Sequence, residues 1–159
     1  MDKLLSLLEK DATYTVEELA ALLERDEKDI REQIDKYEND GVILGRQTII
    51  DWDKTDREYV SALIEVKITP KHDFGFDHVA EIISEYPEVQ NLYLMSGVFD
   101  LAVLIEGKTM REVAYFVTHK LSTLADVTSC STHFVLRKYK DKGVIHGLPK
   151  TDERGNFVI

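Results

Sequence analysis

A single cysteine, Cys130, stands in the whole sequence, which excludes an internal disulfide and any cysteine-based metal cluster. No apolar run approaches the 18 residues of a membrane span, and the N-terminus, MDKLLSLLEKD, is a charged amphipathic helix rather than a signal peptide. These absences predict a soluble, cytoplasmic chain with no membrane partner. Positive charge is scarce as well: 20 Lys and Arg face 30 Asp and Glu, for a net −10. Long-range attraction to phosphate therefore has the wrong sign, which argues against indiscriminate nucleic-acid binding but leaves room for a local basic patch. His72, His78, His119, His133 and His146 show no HxxxH or HxH spacing, and there is no phosphate loop or nucleophile elbow. No metal, cofactor or catalytic residue is expected, and the chain does not read as an enzyme.

The 43 % hydrophobic content of these 159 residues is enough for a packed core in one domain or two small ones. Its organising stretch is Val89 to Glu106, VQNLYLMSGVFDLAVLIE, two apolar runs joined at Ser96-Gly97-Val98. Gly97 is expected to turn a hairpin there, where positive φ costs it little. The second run is apolar on both alternating faces, with Phe99, Leu101, Val103 and Ile105 on one and Val98, Ala102 and Leu104 on the other. Such a strand needs both faces covered. Asp100, just past the turn, is either a turn-capping group or a ligand-reading group.

Three helices are expected over residues 1–45. Leu4, Leu5, Leu7 and Leu8 give the first an apolar side. Thr15-Val16-Glu17-Glu18 is a capping box for a second helix, Val16 to about Leu23, with Leu19, Ala20 and Leu23 inward. Asp26 caps the third, whose buried stripe is Ile30, Ile34 and Tyr37, and Gly41 ends it. Spacing alone leaves two readings open: a helix-turn-helix whose last helix enters a major groove, or a small bundle used for dimerisation. Val42 to Trp52 turns to a strand-like pattern, and Asp53 to Glu58 suits a linker. Residues 1–52 carry 14 acidic and 7 basic side chains, net −7, against net −3 for the remainder. That shift places a boundary near residue 55, within a linker strand and hinge over 46–58.

The second domain, 59–140, alternates strands and helices. Val60 to Ile68 is a strand with Val60, Ala62, Ile64, Val66 and Ile68 on one face and Ser61, Glu65 and Lys67 on the other. Phe76, Val79, Ala80, Ile83 and Tyr86 stripe a helix that Pro87 stops. After the central hairpin, Thr109 caps a helix with Met110, Val113, Ala114, Val117, Leu121 and Leu124 inward, and Val127 to Tyr139 is the last strand. The fold class is α+β: a winged-helix-like helix-turn-helix domain followed by a ferredoxin-like β-α-β-β-α-β domain. Two helices cover one face of such a sheet, and the open face is expected to be an oligomer interface. Residues 141–159 form a tail, basic through Lys142, Lys150 and Arg154, that is either solvated, an added edge strand or a swapped arm.

This order, with Asp40-Gly41-Val42-Ile43 after the third helix and Ser96-Gly97-Val98-Phe99-Asp100 in the hairpin, resembles the Lrp/AsnC (feast/famine) family of transcriptional regulators from about Leu4 to Tyr139. The resemblance implies double-stranded DNA as a partner and a homodimer, formed through the linker strand and open sheet face, that assembles further, often to an octamer. It also implies a small effector, commonly an amino acid, held by the glycine-aspartate hairpin of one subunit and the turn before the last strand of another. On this chain those elements are Gly97, Val98, Phe99 and Asp100, with Leu124, Asp126 and Thr128. Asp100 would meet the ammonium and the glycine turn the carboxylate. The family's usual Leu-Pro-Gly-Val in the later turn is here Leu124-Ala125-Asp126-Val127. On the third helix Lys28 and Arg31 suit phosphate or guanine contacts, Gln33 an adenine contact, and Lys36 a further DNA contact. Asp26, Glu27 and Asp29 in its first turn would repel phosphate, yet they suit the helix dipole. Two other readings stand beside this one. One is an effector-sensing subunit with weakened DNA binding that works through hetero-oligomers. The other is a tetrapyrrole (sirohaem) decarboxylase, which shares the architecture but would need a cationic pocket; no arginine lies between Arg57 and Arg111.

Overall fold

Capping side chains set the helix starts in the first third of the chain. In the computed structural model, which describes residues 2–69 and 75–147, α1 spans Lys3–Lys10, α2 Val16–Leu23 and α3 Glu27–Asn39. The Glu18 amide donates to the Thr15 hydroxyl at 3.2 Å and the Thr15 amide donates to the Glu18 carboxylate at 2.8 Å, closing the capping box. Asp26 accepts from the Lys28 amide at 2.8 Å. Glu24 makes the turn between α2 and α3 in the left-handed region, φ 52, and Gly41 at φ 69 ends α3. Leu4, Leu19, Ala20 and Ile30 are the buried centre of this unit, with Ile34 and Tyr37 packed against it. Contacts divide the chain into two compact units, Met1–Ile49 and Ile50–Ile159.

Asp2 does two jobs in the helical unit. One carboxylate oxygen accepts from the Leu4 and Leu5 amides, and the other accepts from the Tyr37 hydroxyl on α3. The Tyr37 hydrogen bond, ahead of the two backbone amides, holds the Asp2 carboxyl below its ordinary range, and the same bond raises the Tyr37 phenol. A lowered carboxylate gives stability that is present above the ordinary carboxylate range and lost as pH falls through the lowered value. A raised phenol gives stability that is present below the ordinary phenol range and lost as pH rises through the raised value. Tyr37→Phe is therefore expected to be less stable than wild type between about pH 4 and about pH 10, and to converge on it at both ends. Circular dichroism of denaturant unfolding across pH checks this; a gap between the two proteins that does not change with pH would refute it.

In the second unit β1 (Val60–Ile68), β2 (Val89–Leu94), β3 (Leu101–Gly107) and β4 (Val127–Phe134) form one antiparallel sheet in the order β2-β3-β1-β4. Helices α4 (Asp77–Ser84) and α5 (Met110–Phe116) complete the expected β-α-β-β-α-β order. Ala62, Ile64, Val66 and Ile68 of β1 and Leu101, Val103 and Ile105 of β3 point into a core with Val79, Ile83, Val113, Phe116 and Leu121. The opposite face of the sheet carries Leu63, Glu65, Leu104 and His133, none of them buried. β4 is bulged at Thr128, where Lys67 pairs with Ser129 and Ile68 with Val127.

Several local expectations change. Gly97 is not in the positive-φ region; the β2–β3 connection is a six-residue loop closed by the Met95 amide on the Asp100 carbonyl at 2.8 Å. Val98 lies in that loop, largely exposed, and Phe99 is half-buried, so the doubly apolar strand begins only at Leu101. Residues 42–51 form no strand, because they find no ladder partner among the described residues, and a 3-10 turn follows at Trp52–Lys54. After α5 the helix widens to a π-turn over Val117–Leu121. Within α5 itself Val113 and Phe116 face inward while Met110 and Ala114 are exposed, and the wide turn that follows keeps Leu121 buried five residues after Phe116. β4 stops at Phe134, and β5 (Lys140–Asp141) and β6 (Val144–Ile145) form a separate hairpin turned by Lys142 and Gly143, φ 44 and 84. The rest of the predicted tail, 148–159, including Lys150 and Arg154, lies outside the described residues.

Candidate effector site and DNA-reading helix

The end of β1 is where the two loops proposed for an effector arrive in one chain. Asp100 is fixed there twice: its amide donates to the Val66 carbonyl at 3.0 Å, and its Oδ2 accepts from the Ile68 amide at 2.8 Å. On the other flank the Thr69 amide donates to the Asp126 carbonyl at 2.9 Å, and the Thr128 hydroxyl donates to the Lys67 carbonyl at 3.1 Å. Leu124 packs against the core and its carbonyl accepts from the Val127 amide at 3.0 Å, tightening the turn. Gly97 and Val98 stand in solvent at the loop tip. The two loops border β3 and β4, the neighbours of β1 on either side, so roughly 10 Å of sheet separates them. Asp100 is thus a cap for the end of β1 with one carboxylate oxygen left over. The backbone of Val66–Thr69, which both loops grip, carries no side-chain signal by which the sequence would have pointed to it.

In the helical unit, Lys28, Arg31 and Lys36 are exposed on α3 and Gln33 is half-buried. At 3.6 residues per turn, Arg31 and Gln33 stand about 160° apart around the axis, so the four do not share one narrow stripe. Lys28 lies 3.8 Å from Glu32, both side chains largely exposed, a contact that solvent leaves weak. Arg31 and Lys28 border a shallow groove with Arg25 and the acidic Glu17, Glu24, Asp26 and Glu27. Among the described residues, no three His, Cys, Asp or Glu gather to hold a metal, and no helix is long and apolar enough to cross a membrane.

A family profile described as the Lrp/AsnC ligand binding domain matches residues 61–145. The chain belongs to the Lrp/AsnC family. A Bacillus subtilis relative described as an HTH-type transcriptional regulator, YugG, is 43% identical over 153 residues, covering 96% of this chain and 92% of its own length. Among solved structures, a Neisseria meningitidis transcriptional regulator in complex with L-Met superposes with a TM-score of 0.70 at 20% identity, over 94% of this chain and 96% of that one. The leucine response regulatory protein of Mycobacterium tuberculosis gives 0.74 at 18%, over 89% and 97%. These two likenesses establish the fold, ferredoxin-like sheet included. As an Lrp/AsnC protein the chain is a transcriptional regulator, not an enzyme, and the tetrapyrrole decarboxylase reading is set aside.

Proposed function

We propose that this Lrp/AsnC chain regulates transcription by reading double-stranded DNA through α3, and that a small effector of the amino-acid class modulates it at the end of β1. The observation that carries the effector half is Asp100, held at the end of β1 through one carboxylate oxygen on the Ile68 amide and half-buried beside the exposed Gly97–Val98 loop tip. An α-amino acid needs a carboxylate for its ammonium and backbone donors for its carboxylate. Asp100 supplies the first, the loop backbone around Gly97, Val98 and Phe99 the second, and the turn of a second subunit, with Leu124, Asp126 and Thr128, closes the site. Homodimers form on the open sheet face and the 42–52 segment and assemble further, toward octamers. We place the protein in the cytoplasm, beside the DNA it reads.

Fluorescence anisotropy on a duplex from the protein's own upstream region tests the DNA half. Lys28→Ala and Arg31→Ala are each expected to weaken binding and to lower the salt slope by about 1. The net −7 of residues 1–52 favours a second reading, an effector-sensing subunit acting through hetero-oligomers, and no binding at any salt would decide for it. A thermal-shift screen over the amino acids tests the effector, since a ligand at about 100 times its Kd adds roughly 2.7 kcal/mol. Light scattering that gives a monomer at micromolar concentration would remove the assembly.

A further inference from the structure

Two stretches far apart in sequence, 51–59 and 135–147, meet over the start of β1. Glu106, on the open side of β3, lies 3.3 Å from Lys138 Nζ and 3.7 Å from Arg57 Nη2, and accepts from the Ser61 hydroxyl at 3.4 Å. The Arg57 guanidinium sits 4.3 Å above the Trp52 ring, and the Tyr59 ring has Arg57 at 5.9 Å and Lys138 at 5.5 Å. The Val135 amide donates to the Ser61 carbonyl at 2.9 Å. The outcome is visible at Ser61, a polar side chain on the nominally open face that is only 3% exposed.

Further along, the β5–β6 hairpin folds back on the 3-10 turn. Asp51 accepts from Lys54 Nζ at 2.8 Å and faces His146 Nδ1 at 3.7 Å. The His146 side chain is 8% exposed and its Nε2 is buried without a hydrogen-bond partner. Burying an imidazole nitrogen unpaired is unfavourable by itself, so the surrounding contacts must favour the docked hairpin. Gly147 lies close to the lysine of that turn: a Cβ there would stand 3.1 Å from Lys54 Nζ, the end of a flexible side chain. Burial, then the Asp53 carboxylate beside it, pushes the Tyr59 phenol up to about 12.

We propose that residues 135–147 are a clasp that fastens the base of the interdomain linker to the sheet. Within the predicted tail, His146 departs from the solvated reading, since its side chain is 8% exposed and faces Asp51. Residues 51–59 begin where the segment leading from the helical unit ends. A ligand or partner that takes up Lys138 or His146 would free that base, and the attachment of the DNA-reading unit would loosen without any change in the core.

Amide hydrogen exchange on the full chain tests the clasp. Glu106→Gln and His146→Ala are each expected to speed exchange over residues 52–59 by about tenfold, the effect of one lost polar contact. Amides of Ile64 and Val103 should exchange at the wild-type rate. His146→Gln, whose amide keeps a polar group facing Asp51, should return residues 52–59 toward wild-type exchange. Unchanged exchange over 52–59 in both variants would overturn the proposal. So would an equal acceleration at Ile64 and Val103, which would mark general destabilisation instead.

Discussion

Ile30→Ala is expected to unfold the helical unit at physiological temperature while the sheet unit stays folded. Ile30 is fully buried, and only Leu4, Leu19 and Ala20 share the centre of that core. Truncating a buried isoleucine costs about 2–5 kcal/mol. A unit of this size rarely has more than about 3–5 kcal/mol from its core, so one substitution consumes most of it. The sheet unit has a separate core, twelve buried residues among those described, that does not include Ile30. The single tryptophan, Trp52, lies in the sheet unit and reports on it alone. Far-ultraviolet circular dichroism should show a lost or early helical transition, while Trp52 fluorescence melts as in wild type. DNA binding should vanish and any effector-induced shift of the fluorescence melt should remain. A single transition lowered as a whole in both signals would mean that the two units fold as one.

Asp100 separates cap from pocket through two substitutions. Ala removes the acceptor for the Ile68 amide, on a residue only 7% exposed. Leaving that donor unpaired costs about 1–3 kcal/mol, and each kcal/mol lowers Tm by about 4–8 °C in a unit of this size. Asn keeps an acceptor oxygen and removes the charge. It should melt close to wild type and, if the remaining carboxylate oxygen meets an effector ammonium, ignore the effector at concentrations to which wild type responds. An Asn variant that responds normally ends the pocket role; an Ala variant that melts like wild type ends the cap role.

What the sequence made legible was what neighbouring residues decide. Thr15 and Glu18, Asp26, and Thr109 cap helices through bonds spanning two or three residues, and each cap was readable before any fold was known. The β1 alternation and the Ile30, Ile34, Tyr37 stripe were equally local. What escaped were contacts between distant segments. Ser61 reads as lying on the open face of the sheet and is buried where Val135, more than 70 residues away, pairs with its backbone. The π-turn at Val117–Leu121 puts Leu121 five residues after Phe116 on the buried side, a spacing that periodicity counted at 3.6 cannot register. At the candidate site, Asp100 was visible as a side chain, but the backbone of Val66–Thr69 that receives it was not.

The bulge at Thr128 separates the drift of one loop from the integrity of the sheet. Because two residues of β4 already face one of β1 there, a residue gained or lost between Leu124 and Thr128 is taken up at the bulge instead of passing along the ladder, where a slip of one would turn every side chain of β4 to the wrong face.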